Sequence, residues 1–174
     1  QMYAAIANGG TILKPTIAKA IVKTDGTVIK EFKPEKLGVL PADKETMKFL
    51  NRSLREVVVS GTGAGAFSSF PVPVSGKTGT AQVFGRNPNG SAKADTSWFA
   101  SYGPSNKPRF VVVMMVSQGG FGASISGVGT RKIYETLLGV EGSKVNSAKI
   151  LFPSGIPPVG LPKISPATKV KGAK

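Results

Sequence analysis

Ser75-Gly76-Lys77-Thr78-Gly79-Thr80-Ala81-Gln82 is the stretch on which the reading of this chain turns. Gly76-Lys77-Thr78 has the ending of a phosphate-binding loop, in which backbone amides cradle a phosphate and a helix follows the threonine. That loop needs a further glycine five positions before Gly76, where this chain has Pro71. The continuation Gly79-Thr80-Ala81-Gln82-Val83 is also a poor helix start, with glycine and β-branched residues in its first turn. Val72 to Val83 reads instead as an extended run. Side chains alternate along a strand, so Lys77 is expected on one face and Thr78 on the other, while Gly79 presents none.

Upstream, Asp43 after Pro41 can cap a helix whose apolar residues Met47, Leu50, Leu54, Val57 and Val58 recur at helical spacing, with an end near Ser60. The next residues fit a dinucleotide fingerprint, with Gly61, Gly63 and Ala66 in the required places. A helix should then follow, yet the chain continues Phe67-Ser68-Ser69-Phe70-Pro71-Val72-Pro73, and Ala81 stands where the ribose-binding acid belongs. Gly61 to Ala66 therefore reads as a glycine-rich turn. Before the capped helix, Gln1 to Ala7 is helix-like and ends at Asn8-Gly9-Gly10, and Thr16 to Phe32 reads as a peripheral hairpin turning at Asp25-Gly26.

Downstream, Ser97 to Tyr102 and Arg109 to Ser117 are extended runs joined by Gly103 to Pro108, a turn segment that suits an antiparallel pair. Phe84 to Asp95 reads as a polar surface loop. Trp98 and Phe99 face opposite ways and are both expected in the core, with a cleft-bordering Trp98 as the alternative. A last helix is expected over Val128 to Leu138, burying Ile133, Leu137 and Leu138 and ending at Gly139. Residues 141–174 hold six lysines, five prolines and one aromatic, Phe152, which is too little apolar surface to offset chain ordering. They are expected to be a flexible tail behind a domain spanning 1–140.

Composition limits the chemistry. The chain has no histidine and no cysteine, which excludes a Ser-His-Asp triad, imidazole or thiolate metal sites and disulfides within it. Its 23 Lys+Arg against 9 Asp+Glu give a net charge of +14, which favours anionic partners. The charges are scattered, no basic helix interleaves aromatics, and no nucleic-acid signature is present, so nucleic acid is not an expected partner. The longest apolar run, Phe110 to Val116, is far short of the roughly 20 residues that cross a bilayer. The chain opens on Gln1 within a helix-like run, which reads as the interior of something longer.

Four ordered segments now carry a resemblance. Lys77-Thr78-Gly79 resembles the Lys-Thr-Gly strand of penicillin-binding proteins and serine β-lactamases. Gln1 to Thr11 resembles the family's helix end at Ala-Asn-Gly-Gly, Glu56 to Thr62 its helix end at Gly-Thr, and Thr96 to Tyr102 its Trp-Phe strand. Gly79-Thr80-Ala81-Gln82 is similar to the monofunctional, class B transpeptidases, where bifunctional class A enzymes usually have Gly-Thr-Thr. The resemblance implies an α/β (α+β) fold, an antiparallel sheet flanked by helices as in the serine β-lactamase and penicillin-binding transpeptidase folds, incomplete at its amino terminus.

The resemblance also implies a D,D-transpeptidase, whose serine attacks the carbonyl between two D-alanines of a peptidoglycan stem peptide and whose acyl-enzyme is resolved by a neighbouring amine. Thr78 and Thr80 would hold the carboxylate of the substrate or of a β-lactam, the Thr80 N–H would form half of the oxyanion hole, and Lys77 would supply positive potential and join the proton network. Gly79 would allow close backbone approach, and Gln82 would reach substrate from the strand end. No cofactor is implied. A membrane-embedded cell-wall synthesis partner and a place on the extracytoplasmic face of the cell membrane, anchored upstream, are. No serine here has lysine three residues on, and no Ser-x-Asn occurs, so the nucleophile is expected upstream. A non-catalytic penicillin-recognising sensor would use the same strand, and a nucleotide-binding module is the remaining alternative.

Overall fold

The computed structural model describes residues 1–151. Helix α1, Met2–Ala7, ends at Asn8, and Gly9 and Gly10 take positive φ. Their left-handed backbone turns the chain into strand β1, Thr11–Leu13. The expected hairpin forms from β2, Ala20–Val22, and β3, Val28–Glu31. Its turn is held by the Thr27 N–H, which donates to Asp25 Oδ1 at 2.8 Å, and Gly26 supplies φ +89°. One pairing is additional to that expectation: β4, Lys36–Val39, returns antiparallel to β1 and closes the base of the hairpin.

Helix α2, Lys44–Val59, starts where its cap residue dictates, with the Thr46 N–H donating to Asp43 Oδ1 at 2.7 Å. That bond holds the Asp43 carboxyl below its ordinary range. Met47, Leu54 and Val58 form its buried stripe. The glycine-rich segment read as a turn holds a one-turn helix, α3, Ala64–Phe67. Local propensity argued against it, but Ala66 and Phe67 are buried and Phe67 stacks on Phe99 with ring centroids 5.6 Å apart. Tertiary burial thus outweighs the cost of the glycine in its single turn.

The central sheet is antiparallel in the order β5-β6-β7, from β5, Ser75–Ala81, through β6, Thr96–Gly103, to β7, Phe110–Val116. β5 is shorter than the expected run from Val72 to Val83 and is an edge strand. Thr78 pairs with Phe99 and Gly79 with Trp98, which places Thr78 and Phe99 on one face and Gly79 and Trp98 on the other. The Phe99 face is packed by Val58, Phe67, Tyr134 and Leu138. On the Trp98 face, Tyr102 packs with Ile6, Met47 and Leu54, so α2 contributes to both clusters. Farther along that face Trp98 is 39% exposed, with Val113 and Met115 about half exposed. The expectation that Trp98 is core fails: the described residues cover it only in part, although its pattern matches Phe99.

A π-helical turn, Ala123–Gly127, runs into α4, Val128–Leu137. Thr130, Tyr134 and Leu138 form the buried face, whereas Ile133, expected inside, is exposed. Tyr134 takes the buried position instead, its hydroxyl 3.2 Å from Ser101 Oγ, and its neighbour Ile133 is left on the outer side. Burial pushes the Tyr134 phenol above its ordinary pKa. Gly139 ends the helix with φ +61°, as expected. The segment read as a tail from 141 begins with ordered structure. β8, Val140–Glu141, pairs with β9, Lys144–Val145, and a short 3-10 turn follows at Ser147–Lys149. Backbone bonds from Asn146 N–H to Gly139 O and from Leu151 N–H to Leu137 O tie this stretch to the end of α4. The rest of that reading, residues 152–174, lies outside the described residues.

Candidate functional site

The site is built at the edge of β5 that no strand among the described residues covers. Gly76 leaves no room for a side chain, since a Cβ there would sit 2.7 Å from Ala100 O and 2.8 Å from Ser101 Cβ. Arg55 of α2 donates to Val74 O at 2.8 Å and pins the helix to the start of the strand. Lys77, Thr78 and Thr80 follow on backbone fixed by pairing to Ala100, Phe99 and Ser97. These residues lie within a strand, and no helix opens at Gly76-Lys77-Thr78, which removes the nucleotide-binding loop as an alternative.

Alternation puts the Lys77 and Thr78 side chains on opposite faces, but their tips meet. Because β5 is an edge strand, the Lys77 chain folds around it, and its ammonium donates to Thr78 O at 3.0 Å and to Thr78 Oγ1 at 3.2 Å. Among the described residues no carboxylate pairs with Lys77. Its charge is therefore left to attract an external anion. Thr80 Oγ1 accepts from the Gly122 N–H at 3.3 Å. A Cβ on Gly122 would collide with Gly79 O, so the loop before the π-helical turn can approach the strand only as glycine. Gln82 is exposed, one residue past the end of β5.

Sequence reasoning missed two neighbours of this cluster. One is Gly122. The other is Thr62, whose Oγ1 lies 2.7 Å from Thr78 Oγ1. The Gly61 and Gly63 that flank it are the signal that could have found it, for paired glycines mark a close backbone approach. The cluster forms an open edge. A concavity of about 500 Å³ near Phe67 and Phe70 lies elsewhere and is not lined by Lys77, Thr78 or Thr80. Among the described residues no group of three or more His, Cys, Asp or Glu could hold a metal ion, and no helix is long and apolar enough to cross a membrane.

The model of the penicillin-binding protein transpeptidase domain matches residues 1–135. The chain belongs to that family. Among its relatives, the penicillin-binding protein PbpB of Mycolicibacterium smegmatis is 34% identical over 122 residues, which are 66% of this chain and 18% of the relative. The peptidoglycan D,D-transpeptidase MrdA of Haemophilus influenzae is 31% identical over 148 residues, 76% of this chain and 22% of the relative. Among solved structures, PBP2 of Pseudomonas aeruginosa in complex with WCK 5153 superposes with a TM-score of 0.64 at 26% identity, covering 84% of this chain and 30% of that one. A peptidoglycan synthase complex matches with a TM-score of 0.65 at 32% identity, covering 82% and 23%.

These likenesses place this transpeptidase-family chain with the class B penicillin-binding proteins and bear out the mixed helix and antiparallel-sheet fold. The chain spans about a fifth of the length of the curated relatives just named.

Proposed function

We propose that residues 1–140 are the carboxy-terminal part of a peptidoglycan D,D-transpeptidase domain, and that the end of β5 binds the D-Ala-D-Ala terminus of a stem peptide or a β-lactam. The observation that carries this reading is the meeting of the Lys77 ammonium, with which no carboxylate pairs among the described residues, with the Thr78 hydroxyl; the Thr80 hydroxyl lies two residues along the same exposed edge. Hydroxyls beside a fixed positive charge suit a carboxylate, because charge-assisted hydrogen bonds are shorter and stronger than neutral ones. Gly79 keeps the backbone between them open to close approach, and Gln82 borders the far end.

In this reading an upstream serine, activated by a lysine, attacks the carbonyl carbon of the penultimate D-alanine. The Ser Oγ–C bond forms, the C–N bond breaks, and the terminal D-alanine leaves as its amine after accepting a proton. An amine from a neighbouring stem then displaces the serine and restores its hydroxyl. The Thr80 N–H and the serine's own N–H bind the oxyanion during both steps. Lys77 raises the positive potential along the edge. The open apolar face at Trp98, Val113 and Met115 fits a domain whose other part covers it. The protein acts on the extracytoplasmic face of the cell membrane, held by an upstream anchor, beside a membrane-embedded cell-wall synthesis partner.

Labelled penicillin tests the division of labour. No serine of this chain has the lysine context that activates it, so the 174-residue chain alone is expected to remain unlabelled by mass spectrometry, while the longer protein containing it takes up one equivalent. Stoichiometric labelling of the isolated chain would overturn the assignment of the nucleophile to the upstream part.

A further inference from the structure

The Thr78 hydroxyl has one hydrogen to give and two lone pairs to fill. Lys77 can only donate, so its 3.2 Å contact occupies one lone pair. Thr62 supplies the second contact, Oγ1 to Oγ1 at 2.7 Å, in which either hydroxyl can be the donor. Were Thr78 to donate to Thr62, its only hydrogen would be spent and it would turn a lone pair towards an arriving carboxylate. With the opposite polarity, both Thr78 lone pairs are filled and its hydrogen points to the ligand.

We propose that Thr62 is a positioning residue that donates its hydroxyl hydrogen to Thr78 Oγ1, so that Thr78 is held as a hydrogen-bond donor to the substrate carboxylate. The inference rests on the carboxylate-binding reading of β5. The backbone around Thr62 is fixed for the task. The Gly61 N–H donates to Glu56 O at 3.0 Å and the Gly63 N–H to Val57 O at 2.9 Å, which closes the loop onto the end of α2. A Cβ on Gly61 would lie 2.8 Å from Val57 Cα, and one on Gly63 would lie 3.2 Å from Val57 O and 3.3 Å from the Phe99 ring. Phe99 is the residue that pairs with Thr78, so one buried ring sets both the loop and the strand. Thr62 itself is exposed and contributes little packing.

The test compares acylation of the full-length protein by benzylpenicillin with acylation by its methyl ester, which lacks the charged carboxylate. Thr62→Val is expected to slow acylation by the acid roughly five- to tenfold, the rate equivalent of one hydrogen bond, and to leave the ester within about twofold. Thr62→Ser, which keeps the hydroxyl, is expected to restore the parental acid-to-ester ratio. Thr78→Val runs beside them. If Thr78→Val lowers the ratio and Thr62→Val leaves it unchanged, or if Thr62→Val slows both compounds alike, the role given to Thr62 is wrong while the site stands. If Thr78→Val also leaves the ratio unchanged, the carboxylate site and the inference resting on it fall together.

Discussion

Replacing Lys77 with alanine in the full-length protein is expected to slow acylation by a chromogenic β-lactam by about 10²- to 10³-fold, the usual effect of removing one preorganised electrostatic group beside a developing oxyanion. Two losses combine. The site loses a charge that no carboxylate among the described residues neutralises, and Thr78 loses the donor that fills one of its lone pairs. Stability should change little, because Lys77 is exposed and its contacts are with the adjacent Thr78. Thr16→Ala, on the peripheral hairpin segment, serves as the control and should acylate at the parental rate. Stopped-flow traces beside thermal melts separate chemistry from folding. Parental acylation by Lys77→Ala would make Lys77 a surface lysine and remove it from the site.

The largest effect on stability is expected at Phe99. Its ring is fully buried, stacks on Phe67, and touches the position where a Gly63 Cβ would be. Phe99→Ala should therefore cost about 3 to 5 kcal/mol, the range for losing a phenylalanine ring from a packed core. Because the same ring backs Thr78 and the Thr62 loop, β-lactam acylation should fall in parallel as the site loosens. Ile17→Ala, at a fully exposed apolar residue, should change stability by no more than about 0.5 kcal/mol. Chemical denaturation of the two variants provides the comparison. Equal stabilities would mean that the Phe99 cluster is not the core that carries the sheet.

Legibility followed the range of the interaction responsible. Asp43, Gly26, Gly9 and Gly139 act within a turn of backbone, and the elements they start or end lie where their chemistry puts them. The pairing of β6 with β7 could also be read, since a short turn at Gly103 to Pro108 leaves the two strands few options but to pair, whereas the place of β5 beside β6 was not in the sequence signal. Misreadings came where distant residues decide. Trp98 and Phe99 carry the same hydrophobic signal, and only the packing of α3, α4 and the end of α2 over the Phe99 side chain separates them. Ile133 and Tyr134 differ for a similar reason. The β1–β4 pairing joins segments separated by the whole hairpin, with three and four residues in its strands, too short for alternation to announce.

The site was legible as a strand and illegible as a cluster. Lys77, Thr78 and Thr80 are close in sequence, so the motif names them together, and strand alternation places them correctly at the Cβ atoms. Alternation could not foresee that the Lys77 chain folds around a free edge to meet Thr78, because edge or centre is a property of the sheet order. Thr62 and Gly122 reach the cluster from 16 and 42 residues away, through hydrogen bonds that no periodicity encodes.

The decisive measurement is the structure of the acyl-enzyme that the full-length protein forms with benzylpenicillin. The penicillin carboxylate is expected within hydrogen-bond distance of Thr78 Oγ1 and Thr80 Oγ1, the acyl carbonyl oxygen on the Thr80 N–H, and the covalent bond on a serine outside this chain. A carboxylate bound away from the edge of β5, with Lys77, Thr78 and Thr80 still facing solvent, would contradict the carboxylate-binding reading of that strand.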